Sequence, residues 1–187
     1  MVKLSKYFCM LLVLVAPLAL GGESQPKDAS EETGQAFRTR IQAPDFHDQV
    51  CSGPENGDVS VARLIVAGQE KMRLNQSPHA VIVETFDAGG APGGTGTLAA
   101  TIAAQALASM VRQEQIGKPL SIGAAEVLCL AVLMNYDAYL KKNPEAHPTE
   151  LDFVTAAGFV FDEMFKLIKK GEFLSQAQAQ SARLLRR

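Results

Sequence analysis

From Ala88 to Val111 the chain runs for 24 residues without a charged side chain. A segment this neutral gains little from facing water, so whatever it forms must be covered. It begins inside the stretch 87–96, which holds five glycines and Pro92 and reads as a loop. From Thr97 to about Gln115 the pattern predicts a helix. Gly96, Ala100, Ala104 and Ala108 recur every four residues along it, making a smooth strip on which a second helix can approach closely. In water this is the pattern of an Ala-rich core helix. A different reading pairs the segment with the apolar run Ile122 to Met134, as a 97–134 helical hairpin that enters a membrane. Both halves are shorter or more polar than an ordinary span.

The surrounding pattern is helical too. Asp58 suits the N-cap of a helix from Val59 to about Asn75, Ser121 one reaching about Lys142, and Thr149 one from Glu150 to Lys170 that Gly171 stops. In the Glu150 helix, Phe153, Ala157, Val160, Phe161, Met164, Phe165 and Ile168 follow the three-and-four spacing of one face. Ser175 opens a last helix to Arg187. The run from Ile122 is apolar on nearly every side, which predicts a central buried helix with Glu126 as its exception, on a polar seam. His79 to Phe86, crowded with β-branched and aromatic residues between Pro78 and Gly89, reads as a strand. The expected fold is mainly α: a small bundle-like domain of four to five helices, with at most one short β hairpin or extended segment.

Lys3 and Lys6, followed by the uncharged apolar stretch Tyr7 to Leu20 and the small Gly21 and Gly22, have the layout of a cleaved secretory signal peptide over residues 1–21. An uncleaved anchor is the alternative. Residues 22–35 offer almost nothing to bury and read as a disordered acidic leader. The folded domain is then 36–187, in a secreted or periplasmic chain. Cys51 and Cys129 would meet an oxidising compartment, where a disulfide between them closes a long loop. Cys129 lies in an apolar run, so a free thiol packed as a small hydrophobe is the other reading, and the sequence leaves both open.

Charge narrows the function classes. With 18 basic and 20 acidic residues, the chain lacks the basic surface that nucleic acid requires. The distribution is uneven: residues 22–58 carry a net charge of −5, whereas residues 166–187 carry +5 through Lys166, Lys169, Lys170, Arg183, Arg186 and Arg187. The closing basic helix therefore suits contact with an anionic membrane surface. Gly94 to Ala99 matches a relaxed dinucleotide fingerprint, but seven residues separate it from the expected strand, where the fingerprint needs its turn at once. No cofactor is expected. Asp45, His47 and Asp48 lie together, and His79 and His147 each flank a proline, yet no metal-ligand spacing occurs, so no metal is expected either. For an acidic site the weak candidates are Glu84, Asp87 and Glu126. Glu84 or Asp87 with a histidine such as His47 would serve an envelope hydrolase acting beside the Gly-rich loop.

Tyr139 to Glu145, followed by the helix from Glu150, resembles the closing segment of small periplasmic immunity proteins that neutralise secreted amidase effectors. The resemblance covers about 35 of the 187 residues and implies an exported, helical, disulfide-containing protein that binds another protein. Without an assembled catalytic motif, the expectation is an exported cell-envelope protein acting as a non-catalytic binding or interaction module, immunity- or inhibitor-like, with another protein as partner.

Overall fold

The computed structural model describes residues 27–43, 45–53, 60–89 and 95–170. Among them are seven helices and no strand: α1 (Lys27–Ile41), α2 (Phe46–Cys51), α3 (Val61–Arg73), α4 (Pro78–Asp87), α5 (Thr95–Arg112), α6 (Ile122–Lys142) and α7 (Glu150–Lys169). The proposed signal segment, residues 22–26 of the leader, Asp58 and the helix expected from Ser175 lie outside the described residues.

Helix α5 is the centre. It packs against α7, α4, α3 and α2, and Leu98, Ala99, Ile102, Ala103, Ala106, Leu107 and Met110 are wholly buried. With no charge before Arg112 at its end, this helix can be surrounded by apolar neighbours. Helix α7 supplies the bulk: Phe153, Phe161 and Phe165 are fully buried, with the Phe153 ring edge-on to Tyr136 at 4.8 Å and 5.9 Å from Phe37. The aromatic face read from the sequence is thus the face that docks.

Three expectations are corrected. The segment from His79 to Phe86 is helix α4 and not a strand. Pro78 sits at its first turn, where a missing N–H costs nothing, and Val81 and Thr85, one turn apart, are its buried positions. With no strand among the described residues to pair with, helical hydrogen bonds are the available way to satisfy this backbone. Secondly, α6 is not the central helix. It buries Ala125, Leu128, Cys129, Val132, Leu133 and Tyr136 on one side, while Ile122, Val127 and Met134 are exposed on the other and Glu126 is half-buried. Thirdly, α1 reaches back to Lys27, into the segment expected to be leader. Its later turns are anchored by buried Phe37 and Ile41, and Gly34 lets it touch the His147 backbone, where an added Cβ would lie 2.5 Å from the carbonyl oxygen.

The helix starts follow their caps. Ser60 Oγ accepts from the Arg63 N–H at the start of α3, and Ser121 Oγ from the Ala124 N–H at the start of α6. Thr149 and Asp152 form a reciprocal capping box on α7. Two polar side chains fasten the loops. The Arg38 guanidinium donates to the carbonyls of Leu140, Pro144 and Ala146, tying α1 to the end of α6, where a cation also complements the helix dipole. Buried Gln69 donates to the Lys118 carbonyl at 2.7 Å and accepts from the Leu120 N–H at 2.8 Å, clamping the α5–α6 connection.

Cys51 of α2 and Cys129 of α6 are joined, with S–S 2.11 Å and Cα atoms 5.6 Å apart, across a separation of 78 positions. Both are fully buried. Replacing both by alanine is expected to lower stability by about 2–5 kcal/mol, read by urea unfolding. Thiol labelling of the denatured, unreduced protein is expected to find neither cysteine reactive. A second prediction concerns Tyr136, whose phenol is pushed well above the usual tyrosine range, first by burial and then by the charges of Asp152 and Tyr139. The folded state holds this proton more tightly than the unfolded chain. Its contribution is therefore intact below the ordinary phenol pKa of about 10 and is lost as pH rises above it. Tyr136→Phe is expected to flatten the fall in unfolding midpoint above about pH 10, relative to the parent.

Candidate functional site

The α4–α5 turn sets up the surface. At Gly89 an added Cβ would come within 2.6 Å of the Thr97 Cα and 2.9 Å of the Gly96 carbonyl oxygen, so only glycine lets the two helices close this tightly. Helix α4 then runs back along the small-residue strip of α5, over buried Ala100 and Ala104. On the other flank α7 approaches α5 equally closely. Ser109 Oγ donates to the Gly158 carbonyl at 3.3 Å, and a Cβ on Gly158 would meet Gln105 Oε1 at 3.0 Å.

Helices α4 and α7 both lean on α5, and between them α5 is left under a shallow groove. One depression, of about 270 Å³, has Thr101, Ala104 and Ala108 as its floor and Ile82, Val83 and Phe86 as its wall. A second, of about 340 Å³, lies between Arg112 of α5 and Thr155, Gly158, Phe159 and Asp162 of α7. They meet at Gln105, which lines both. The walls carry aromatic surface in water: Phe86 is 52% and Phe159 60% exposed. Exposed aromatic side chains beside a depression are the feature by which an apolar docking surface is recognised, and here each depression has one.

The charged side chains among the groove's described lining residues, Arg112 and Asp162, are matched to each other. Arg112 holds Asp162 through Nε and one terminal nitrogen, at 3.1 to 3.2 Å, and also donates to Ser109 Oγ at 2.8 Å. Gln105 is different, because its amide has no hydrogen-bond partner among the described residues. A surface of this kind can take up apolar side chains and offer one amide to a peptide backbone. The carboxylate among its described lining residues, Asp162, is held by Arg112.

The residues singled out from the sequence lie elsewhere. Glu84, exposed on α4, is ion-paired at 2.5 Å with Lys71 of α3, and Asp87 is exposed at the end of α4. Glu126 is on α6, which packs on α1, α2, α3 and α7, so it belongs to another side of the domain. His47 is half-buried on α2 with its ring 6.3 Å from Phe46, and His79 is exposed at the first turn of α4. Among the described residues no three His, Cys, Asp or Glu side chains gather as metal ligands would. Glu84 and Asp87 flank the groove wall without lining it.

Sequence reasoning did not single out Gln105, Arg112 or Phe159. Phe159 had a legible signal, since it falls off the apolar stripe of its own helix. Another apolar surface is the exposed side of α6, with Val127 44% and Met134 61% exposed. By length and composition α6 is long and apolar enough to cross a membrane, and 33% of its apolar window is buried in the domain.

No family model, curated protein or solved structure matches the chain.

Because Phe86 and Phe159 stand largely in water, Phe86→Ala and Phe159→Ala are each expected to change folding stability by less than about 1 kcal/mol. Leu107→Ala, beneath them in the core, is expected to cost about 2–5 kcal/mol. Thermal unfolding of the three variants checks the contrast.

Proposed function

We propose that this chain is an exported cell-envelope protein that acts without catalysis, by binding an apolar segment of another protein in the α4–α5–α7 groove. The observation that carries the reading is the pair of exposed phenylalanines, Phe86 and Phe159, each lining one of two depressions that adjoin at Gln105, the first floored by Ala104 and Ala108. Aromatic anchors around a small-residue floor are the arrangement that receives side chains from an amphipathic helix or an extended strip. The unpartnered Gln105 amide, where the two depressions meet, would orient the incoming backbone. Neighbouring Arg112 is ion-paired with Asp162, so the groove selects for apolar shape more than for charge.

Export is supported by the basic and apolar pattern of residues 1–21 and by the bond between Cys51 and Cys129, which suits an oxidising compartment. The likeness of Tyr139 to Glu145 and the helix beyond to periplasmic immunity proteins favours an inhibitor-like role among binding functions. The acidic candidates Glu84 and Asp87 give a hydrolase no support, because Glu84 is engaged by Lys71 on the open surface and neither lines a cleft.

The test is site-specific photocrosslinking in the producing cells, with benzoylphenylalanine placed at residue 86, 159 or 127. The expected result is one protein captured from positions 86 and 159 and not from 127, on the exposed side of α6. Capture from 127 alone, or from none of the three, would overturn the proposal.

A further inference from the structure

The hydrogen-bonding groups along the groove are not all spent, and those left over constrain what can lie against them. Thr101, Gln105, Ala108 and Arg112 follow one another at three- and four-residue spacing along the half-open face of α5. Thr101 Oγ1 donates to the Thr97 carbonyl at 2.8 Å, and on α7 Thr155 Oγ1 donates to the Leu151 carbonyl at 2.8 Å. Both hydroxyl donors are thus turned back onto their own helices. The half-buried Gln105 amide has no hydrogen-bond partner among the described residues. Arg112 commits Nε and Nη2 to Asp162 and Ser109, which leaves the two N–H groups of Nη1 without a partner among the described residues.

Any occupant that excludes water here must satisfy these groups, because a covered donor or acceptor without a partner costs more than its bond would have gained. A helix lying in the groove does not do so through its main chain. Its N–H and C=O groups are bonded internally except in the end turns, and packed helix axes stay about 8–10 Å apart. An extended segment has the opposite property. Its main-chain N–H and C=O groups project sideways, free to pair, and its side chains alternate between two faces. The spacing agrees. Gln105 and Arg112 are seven positions apart, about 10 Å along α5 at 1.5 Å per residue, which is the length of about three extended residues. The first depression, walled by Ile82, Val83 and Phe86 over Ala104 and Ala108, then takes one apolar side chain of that segment.

We propose that the occupant of the α4–α5–α7 groove is an extended, strand-like segment of another protein, its main chain bound by the Gln105 amide and Arg112 Nη1 while a branched apolar side chain enters the depression at Ala104 and Ala108. This rests on the reading of the groove as a docking surface and names the conformation and chemistry of what docks. Gln105 carries both a donor and an acceptor, so it pairs with the C=O and N–H of the segment as a neighbouring strand does, and Arg112 Nη1 donates to a carbonyl further along. The charge of Arg112 stays with Asp162, so recognition falls on the peptide group and not on a charged residue of the partner.

Two probes of defined shape test this apart from the broader docking reading. One is the blocked peptide acetyl-TLTLT-amide, which favours an extended chain; the other is a lactam-bridged helical peptide with leucines at four-residue spacing. Each is titrated into the isotopically labelled full chain and followed by amide NMR shifts. The extended probe is expected to shift the amides of residues 101–112 and 155–162. Replacing its internal amides by esters, one at a time, is expected to weaken binding at least about fivefold at one position. That loss is expected to vanish in the Gln105→Met protein, which keeps the side-chain length and removes the amide. Shifts from the helical probe alone would overturn the inference and leave the docking reading standing. Equal binding of the extended probe to the parent and Gln105→Met proteins would overturn it, as would an ester series without effect. Perturbation by neither probe also sinks it, whereas capture of a partner at residues 86 and 159 decides the docking reading independently.

Discussion

The close approach of neighbours to α5 is the constraint on which the domain is built. A helix with six alanines among its 18 residues and glycine near its start lets adjoining helices come near without interlocking bulk. Four helices use that access. Because none of the core-facing positions of α5 is charged, burial on several sides leaves no ion to desolvate. The large side chains that fill the remaining space come from the partners, chiefly the phenylalanines of α7. The groove follows from the same geometry: α4 and α7 are both held against α5, and their separation leaves the Ala104–Ala108 strip under a shallow roofless channel.

Around this centre, specific bonds decide which helix ends meet. Arg38 gathers carbonyls at the end of α6, Arg40 of α1 reaches Glu150 at the start of α7, and Gln69 holds the α5–α6 connection from beneath. The Cys51–Cys129 bond fastens short α2 to α6, and a six-residue helix needs such support because isolated short helices are marginal in water.

How much of this could be read in advance differs by element. The aromatic stripe of α7 and the caps at Ser121 and Thr149 were legible because each depends on spacing within a single helix. Helix α4 was not. Its β-branched run satisfies the strand pattern, and only the absence of a pairing strand, together with the strip on α5 that receives it, settles the backbone as helical. The same limit applied to α6: an all-round apolar sequence implies burial on every side, but the number of helices available to cover it is a property of the assembled domain. Phe86 and Phe159 were present in the pattern without marking a site, since what matters is that they line two depressions that adjoin at Gln105, 73 positions apart in the chain.

By itself, then, the sequence determined that the domain is helical, where several helices begin, and which face of α7 enters the core, because hydrophobic period and capping act over a few residues. It also supplied an uncharged strip made for close contact. Which helix would occupy the centre, that Cys51 would reach Cys129, that Glu84 would be taken by Lys71, and that two phenylalanines would be left in water over alanine were decided only by tertiary structure. Each of these depends on the relative placement of helices far apart in the chain, and that placement is set by how volumes fill the space around α5.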